Sequence, residues 1–140
     1  MVNAPVMNSL CADLRAEARW LGFAACGIAP AAGGEVAAAR FDGWLAEGMH
    51  GTMDWMAERA HQRRNPQALW AEARSVIVLG MSYAPAADPL ALAEHPDHAR
   101  ISCYAQGADY QDVVKKALKA LARWLVAEAA RRGLSEVGVK

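Results

Sequence analysis

One run constrains this chain more than any other: "SVIVLGMSY", residues 75–83. It sets Val76, Ile77, Val78 and Leu79 in series, as a strand buried on both faces does. Such a strand needs a partner and covering helices, and the flanking patterns offer them. Ser9 can cap a first helix that places Leu10, Leu14, Ala18 and Leu21 on one face and ends at Gly22. "FAACGIA" (23–29) is a short apolar run between breakers and predicts a second buried strand. Residues 35–47 predict a helix with Val36, Phe41, Trp44 and Leu45 inward, stopped by Gly48.

The connections between these segments are irregular. "GMHGTMDWM" (48–56) predicts a turn followed by a turn or two of helix. Pro66 interrupts a basic stretch and suits the first turn of a short helix better than its middle. "APAADPLALAEHPDHA" (84–99) is Pro-rich and aperiodic, so it is a loop. "RISCYA" (100–105) predicts a brief strand or extended segment that turns at Gly107. From Asp109 a long helix follows, with Val114, Leu118, Leu121, Leu125 and Ala129 inward. Lys115, Lys116, Lys119 and Arg123 face outward or sideways, and Asp112–Lys116 and Glu128–Arg132 are i,i+4 pairs of the favoured order. Gly133 closes this helix, and "SEVGVK" (135–140) predicts the opening of a further strand. Alternating helices and strands make the fold class α/β. A strand that stops as it starts leaves backbone groups unpaired, so the expectation is that residues 1–140 are the front part of a longer α/β protein, the alternative being a small domain whose last strand is short.

The bulk numbers exclude several classes. A length of 140 residues suits one domain. Lys+Arg and Asp+Glu both count 15, so any basic surface must be local. Cys11, Cys26 and Cys103 are odd in number and share no CxxC spacing, which argues against a disulfide framework. No apolar run reaches the roughly 18 residues of a membrane span, and the N-terminal segment lacks a signal-peptide pattern. A reducing cytoplasm is the expected setting.

Few residues carry chemistry by spacing alone. His95 and His98 in "HPDH" are three apart, as a metal pair can be, but they lie in a Pro-broken loop where the sequence suggests no third ligand. No metal site is expected there, and His50 and His61 stand at no fixed spacing to anything. "GIAPAAGG" follows a strand, yet neither GxGxxG nor GxxxxGK[ST] is present. Met49, Met53, Trp55 and Met56 suit either ordinary packing or the wall of a flat cofactor. Arg59, Arg63 and Arg64 form either a solvated basic stretch or a seat for phosphate or carboxylate. Cys103 has no activating neighbour in sequence and on local evidence is a packing residue.

Read together, "LGFAACGIA", "FDGWLAEGMHGTMDWM", "RRNPQALWAEARSVIVLGMSY" and "ISCYAQGADYQDVVKKAL" resemble the N-terminal part of the epoxyqueuosine reductase family. They occur in the family's order and cover most of residues 10–125; "WLAEGMHGTMDWM" and "SCYAQGADY" are the most specific. The resemblance implies an incomplete corrinoid-binding α/β domain on a nitroreductase-like scaffold, with a mixed sheet flanked by helices. It implies cobalamin as cofactor, two [4Fe–4S] clusters in a following module, and tRNA carrying epoxyqueuosine as substrate. By the same resemblance Arg63 and Cys103 are cofactor-binding positions. A stand-alone corrinoid- or flavin-binding module without catalytic activity is the alternative reading.

The departures from the family pattern have consequences. Gln111 stands where the family usually has His after Asp-Tyr, and an amide cannot titrate. The family's proton-donating aspartate would fall beyond Lys140, so no catalytic residue is assigned within the chain. Three dispersed thiols cannot replace the dense cysteine runs of the clusters, so no turnover is expected of this chain by itself. The resemblance also implies a monomer with no membrane association, and Lys115, Lys116, Lys119 and Arg123 are its candidate contacts to tRNA phosphates, unless they are simply a solvated helix face.

Overall fold

The structure, a computed structural model, describes residues 4–134 and 137–140. Helix α1 (Ala4–Trp20) leads into strand β1 (Ala25–Pro30). Helices α2 (Glu35–Ala46), α3 (Asp54–Glu58), α4 (Ala60–Arg63) and α5 (Pro66–Leu69) follow, then strand β2 (Ser75–Gly80). Two 3-10 turns, Ala91–Glu94 and Cys103–Ala105, precede the long helix α6 (Tyr110–Arg131). The chain divides into two compact units: Met1–Cys26 with Leu79–Lys140, and Gly27–Val78.

In the larger unit α1 packs on α6. Leu10, Leu14 and Ala18 recur every four residues along α1 and are buried, as helical periodicity requires of an inward face. Ala117, Leu121 and Ala129 are their buried counterparts on α6, and Phe23 completes this core. Asp109 caps α6 by accepting the Gln111 N–H at 2.8 Å, which satisfies one of the helix's orphan donors. At the far end Gly133 takes φ 71°, where the Leu134 N–H reaches the Ala129 carbonyl and the Gly133 N–H the Ala130 carbonyl, both at 3.0 Å.

Just beyond α6, Arg132 ties the two helices together. Its Nε donates to Glu128 Oε1 at 2.7 Å, one terminal nitrogen donates to Ser9 Oγ at 2.5 Å, and the other pairs with Asp13. Arg131 donates to the same Glu128 carboxylate, with Nε–Oε2 at 2.8 Å. Hydrogen bonds from Arg131 and then Arg132 hold the Glu128 carboxyl down at about 2.

The smaller unit is built from short helices with little fully buried side chain; Ala31 and Ala73 are its buried residues among those described. Phe41 and Trp44 on α2 stack with centroids 6.1 Å apart, and His50 tilts against Trp44 at 5.9 Å. Asn65 caps α5 by accepting the Ala68 N–H at 2.7 Å, with Pro66 in the first turn, where its missing N–H costs nothing.

Strands β1 and β2 pair with each other in a two-stranded sheet. The flanking hydrogen bonds give its sense: Ala24 N–H to Gly80 O at 2.8 Å and Ala31 N–H to Arg74 O at 3.0 Å. Numbering rises along one strand as it falls along the other, so the pair is antiparallel. The sheet is therefore α/β in company but not mixed, because among the described residues no third strand is present to run parallel.

Other expectations also meet corrections. The first helix begins ahead of Ser9, because Pro5 in its first turn is already compatible with helix entry; Ser9 serves as an acceptor for Arg132 instead of a cap. Val36 and Leu118, expected inward, are 67% and 41% exposed. The β2 run is half-buried, with Val78 58% exposed, because the layers packed on the β1–β2 pair do not cover both of its faces along the whole run. "CYA" (103–105) closes into a 3-10 turn where a strand or extended segment was expected. Asp112 and Lys116 form no ion pair, whereas Glu128 and Arg132 do. Of the strand predicted over 135–140, positions 135 and 136 lie outside the described residues, and 137–140 have no regular structure.

Candidate functional site

In the smaller unit, α4 ends at Arg63 and the chain continues to Arg64 without a residue between them. The helix turn sends their side chains different ways. Arg64 Nε donates to Asp42 Oδ1 at 2.8 Å and is committed to that pair. The Arg63 guanidinium lies over the Trp55 ring, 4.6 Å from its centroid. A stacked guanidinium is held flat by the ring's quadrupole while its edge N–H groups stay free to donate. Met49, Met53 and Trp55 are all substantially exposed in this unit. An exposed aromatic face carrying a fork of donors that makes no ion pair among the described residues, with exposed polarizable side chains in the same unit, has the elements that a flat ligand with peripheral amide or phosphate oxygens requires. His50 adds an anomaly: its Nδ1 is shielded from solvent and has no hydrogen-bond partner among the described residues.

In the larger unit, Cys103 opens the 3-10 turn after Ser102 and is half-buried, with a free thiol. The turn is held at both ends: Gln106 Nε2 donates to the Ile101 carbonyl at 2.9 Å, and the Ala105 N–H reaches Ser102 O at 2.9 Å. Gly107 follows with φ 99°, the left-handed conformation that redirects the chain toward α6. Beside the turn is a cavity of about 480 Å³ walled by Met81, Tyr83, Tyr104, Gln106, Tyr110 and Val114 among others. Tyr104 and Tyr110 meet edge to face at 6.1 Å and 89°. Three phenols and an amide around an apolar floor suit a nucleoside-sized group that stacks and hydrogen-bonds. Cys103 does not itself line the cavity; its chain neighbour Tyr104 does.

Arg63 and Cys103 thus fall in separate units, each with its own set of neighbours. The sequence reading missed three features. The Trp55–Arg63 stack joins positions eight apart across a helix break, a spacing no helical pattern predicts. The Arg64–Asp42 pair spans 22 positions. The tyrosine cavity gathers residues from the segment just after β2, the 3-10 turn and the start of α6, where the available signal was the density of tyrosine around "SCYAQGADY". The outward basic residues Lys115, Lys116, Lys119 and Arg123 are exposed on α6 as expected.

The comparisons with known proteins bear on both places. The family model described as "Epoxyqueuosine reductase QueG, DUF1730" matches residues 63–138. The epoxyqueuosine reductase of Gloeobacter violaceus is 45% identical over 123 residues, covering 86% of this chain and 36% of the relative. Those of Xanthomonas campestris and Synechocystis are 36% and 43% identical, covering 89% and 71% of this chain and 35% and 33% of the relatives. The chain therefore spans about a third of the length of the curated relatives it matches. No solved structure matches it. No described helix is long and apolar enough to cross a membrane.

Proposed function

Because the chain belongs to the epoxyqueuosine reductase QueG, DUF1730 family, we propose that it is the N-terminal, cofactor-binding segment of a cobalamin- and iron–sulfur-dependent reductase. That oxidoreductase converts epoxyqueuosine to queuosine in tRNA, in the cytoplasm. The observation that carries the reading is the uncommitted Arg63 guanidinium seated on Trp55 within the resembling stretch. Cobalamin, when bound, supplies a reducible cobalt centre for removing the epoxide oxygen. The residues present fit it in kind. Arg63 offers edge N–H donors to the amide and phosphate oxygens at a corrinoid's periphery. Exposed Met49, Met53 and Trp55 offer soft apolar surface to its ring.

Cys103 is the second cofactor-binding position of this reading. Its turn presents a small, half-buried thiol beside a cavity whose size and phenol lining suit the modified base. The nitroreductase-like scaffold belongs to the same proposal. The antiparallel β1–β2 pair and its exposed Val78 supply part of a sheet with apolar surface still to cover. Lys115, Lys116, Lys119 and Arg123 supply an exposed basic helix face for tRNA phosphates. Two four-iron clusters require about eight thiolates, and the chain holds three cysteines, so the segment alone binds and does not turn over.

Titration of the purified chain with cobalamin tests the reading. A saturable shift of the visible cobalamin spectrum, weakened in Cys103→Ala, is expected. A spectrum that stays that of free cobalamin at every protein concentration would overturn it.

A further inference from the structure

We infer that His95, Asp97 and His98 form a binding site for a divalent transition-metal ion of borderline softness, of the zinc class. One nitrogen from each imidazole and one oxygen of Asp97 all lie within 4.8 Å of one another. The backbone brings them together. The His98 N–H donates to the His95 carbonyl at 3.1 Å and closes a four-residue turn. Pro96 stands at its second position, where a fixed φ favours such a turn. The first and fourth side chains meet edge to face, ring centroids 5.5 Å apart at 69°. The third contributes Asp97 Oδ1, 3.0 Å from His98 Nδ1. The carboxylate between the two histidines is the third ligand that their spacing alone did not suggest.

The donor set selects the metal class. Imidazole nitrogens suit zinc, nickel, cobalt and copper ions, whereas magnesium and calcium take oxygen ligands. Zinc-class bonds of about 2.0–2.2 Å put neighbouring ligand atoms roughly 3.5 Å apart. The widest separation, within 4.8 Å, must close by roughly an ångström while the Asp97 Oδ1–His98 Nδ1 pair at 3.0 Å opens slightly, and exposed side chains on a turn can do both by rotating. Three protein ligands leave a position for water. The ion would cross-link the turn in the middle of the segment that joins β2 to α6, upstream of Cys103. This inference uses nothing of the corrinoid reading and stands or falls separately.

The test uses free Co2+ as a spectroscopic stand-in for Zn2+, titrated into the full 140-residue chain. The expected result is one ion per chain, with the weak visible bands of a nitrogen–oxygen ligand set, displaced by Zn2+. His95→Ala and His98→Ala should each weaken binding by roughly tenfold or more, as loss of metal-site partners does. His61→Ala should leave it unchanged. All three proposed ligands are exposed, so an unchanged far-ultraviolet dichroism spectrum is expected of each variant. The inference is overturned if no Co2+ binds up to about 1 mM, a Kd at the weak limit of specific association. It is also overturned if the His95→Ala/His98→Ala double variant binds as the parent does. A strong thiolate-to-cobalt charge-transfer band would overturn it too, by assigning the ion to the cysteines.

Discussion

Two adjacent arginines give the sharpest test of the cofactor reading, because local sequence treats them alike and the structure does not. Arg64 is spent on Asp42 at 2.8 Å, with both side chains nearly half exposed at 49% and 43%. Exposed pairs of this kind contribute about 0.2–1 kcal/mol. Arg63 makes no ion pair among the described residues and lies 4.6 Å over Trp55. The exposed stack is worth about 0.5–1 kcal/mol and pre-orients the guanidinium. Charge-assisted hydrogen bonds from that fork to a ligand are worth about 1.5–3 kcal/mol. Arg63→Ala should therefore raise the Kd for cobalamin by about 10–100-fold at little cost in stability. Arg64→Ala should lower stability by less than about 1 kcal/mol and leave the Kd within about threefold. Arg63→Lys should fall between parent and Arg63→Ala, since it keeps the charge and loses the flat stacked fork. The assay is visible-absorption titration with cobalamin, paired with urea unfolding. Equal losses of affinity in Arg63→Ala and Arg64→Ala, or a larger one in Arg64→Ala, would refute the assignment of the free guanidinium to the ligand.

Two further predictions concern the α1–α6 core. Leu121 is 4% exposed and Leu118 41%, so Leu121→Ala should cost about 3 kcal/mol, from about 0.8 per buried carbon plus a cavity, and Leu118→Ala about half that with no cavity; urea midpoints that rank them the other way would mean α6 packs on a different face. Glu128 has a folded value of about 2, below its ordinary 4.5, so its contribution is complete above about 4.5 and lost as pH falls toward 2. Acid titration followed by near-ultraviolet dichroism should show this loss, and Glu128→Gln should flatten that limb.

Much of the helical architecture was legible because it is local. The spacing of Leu10, Leu14 and Ala18, the start of the long helix at Asp109 and the Gly133 stop each act within a few residues, and each stands where the pattern placed it. The Pro66 turn and the Gly107 reversal were legible for the same reason: backbone preference travels with the residue. Strand burial was not legible. Val76 to Leu79 predicts a doubly covered strand, but coverage comes from what packs on the sheet's faces, and Val78 stays 58% exposed.

The candidate site divides along the same line. By itself the sequence determined which stretches are helical and where the long helix α6 begins and stops, which residue types were on offer, and which family the stretches around Arg63 and Cys103 resemble, since these follow from adjacent residues. Only the tertiary structure decided that Arg64 is committed to Asp42 and Arg63 is not, that Trp55 seats the free guanidinium, and that tyrosines from three segments wall one cavity. The physical reason is that a side chain's availability depends on what else reaches it, and those partners come from distant positions that no local pattern records.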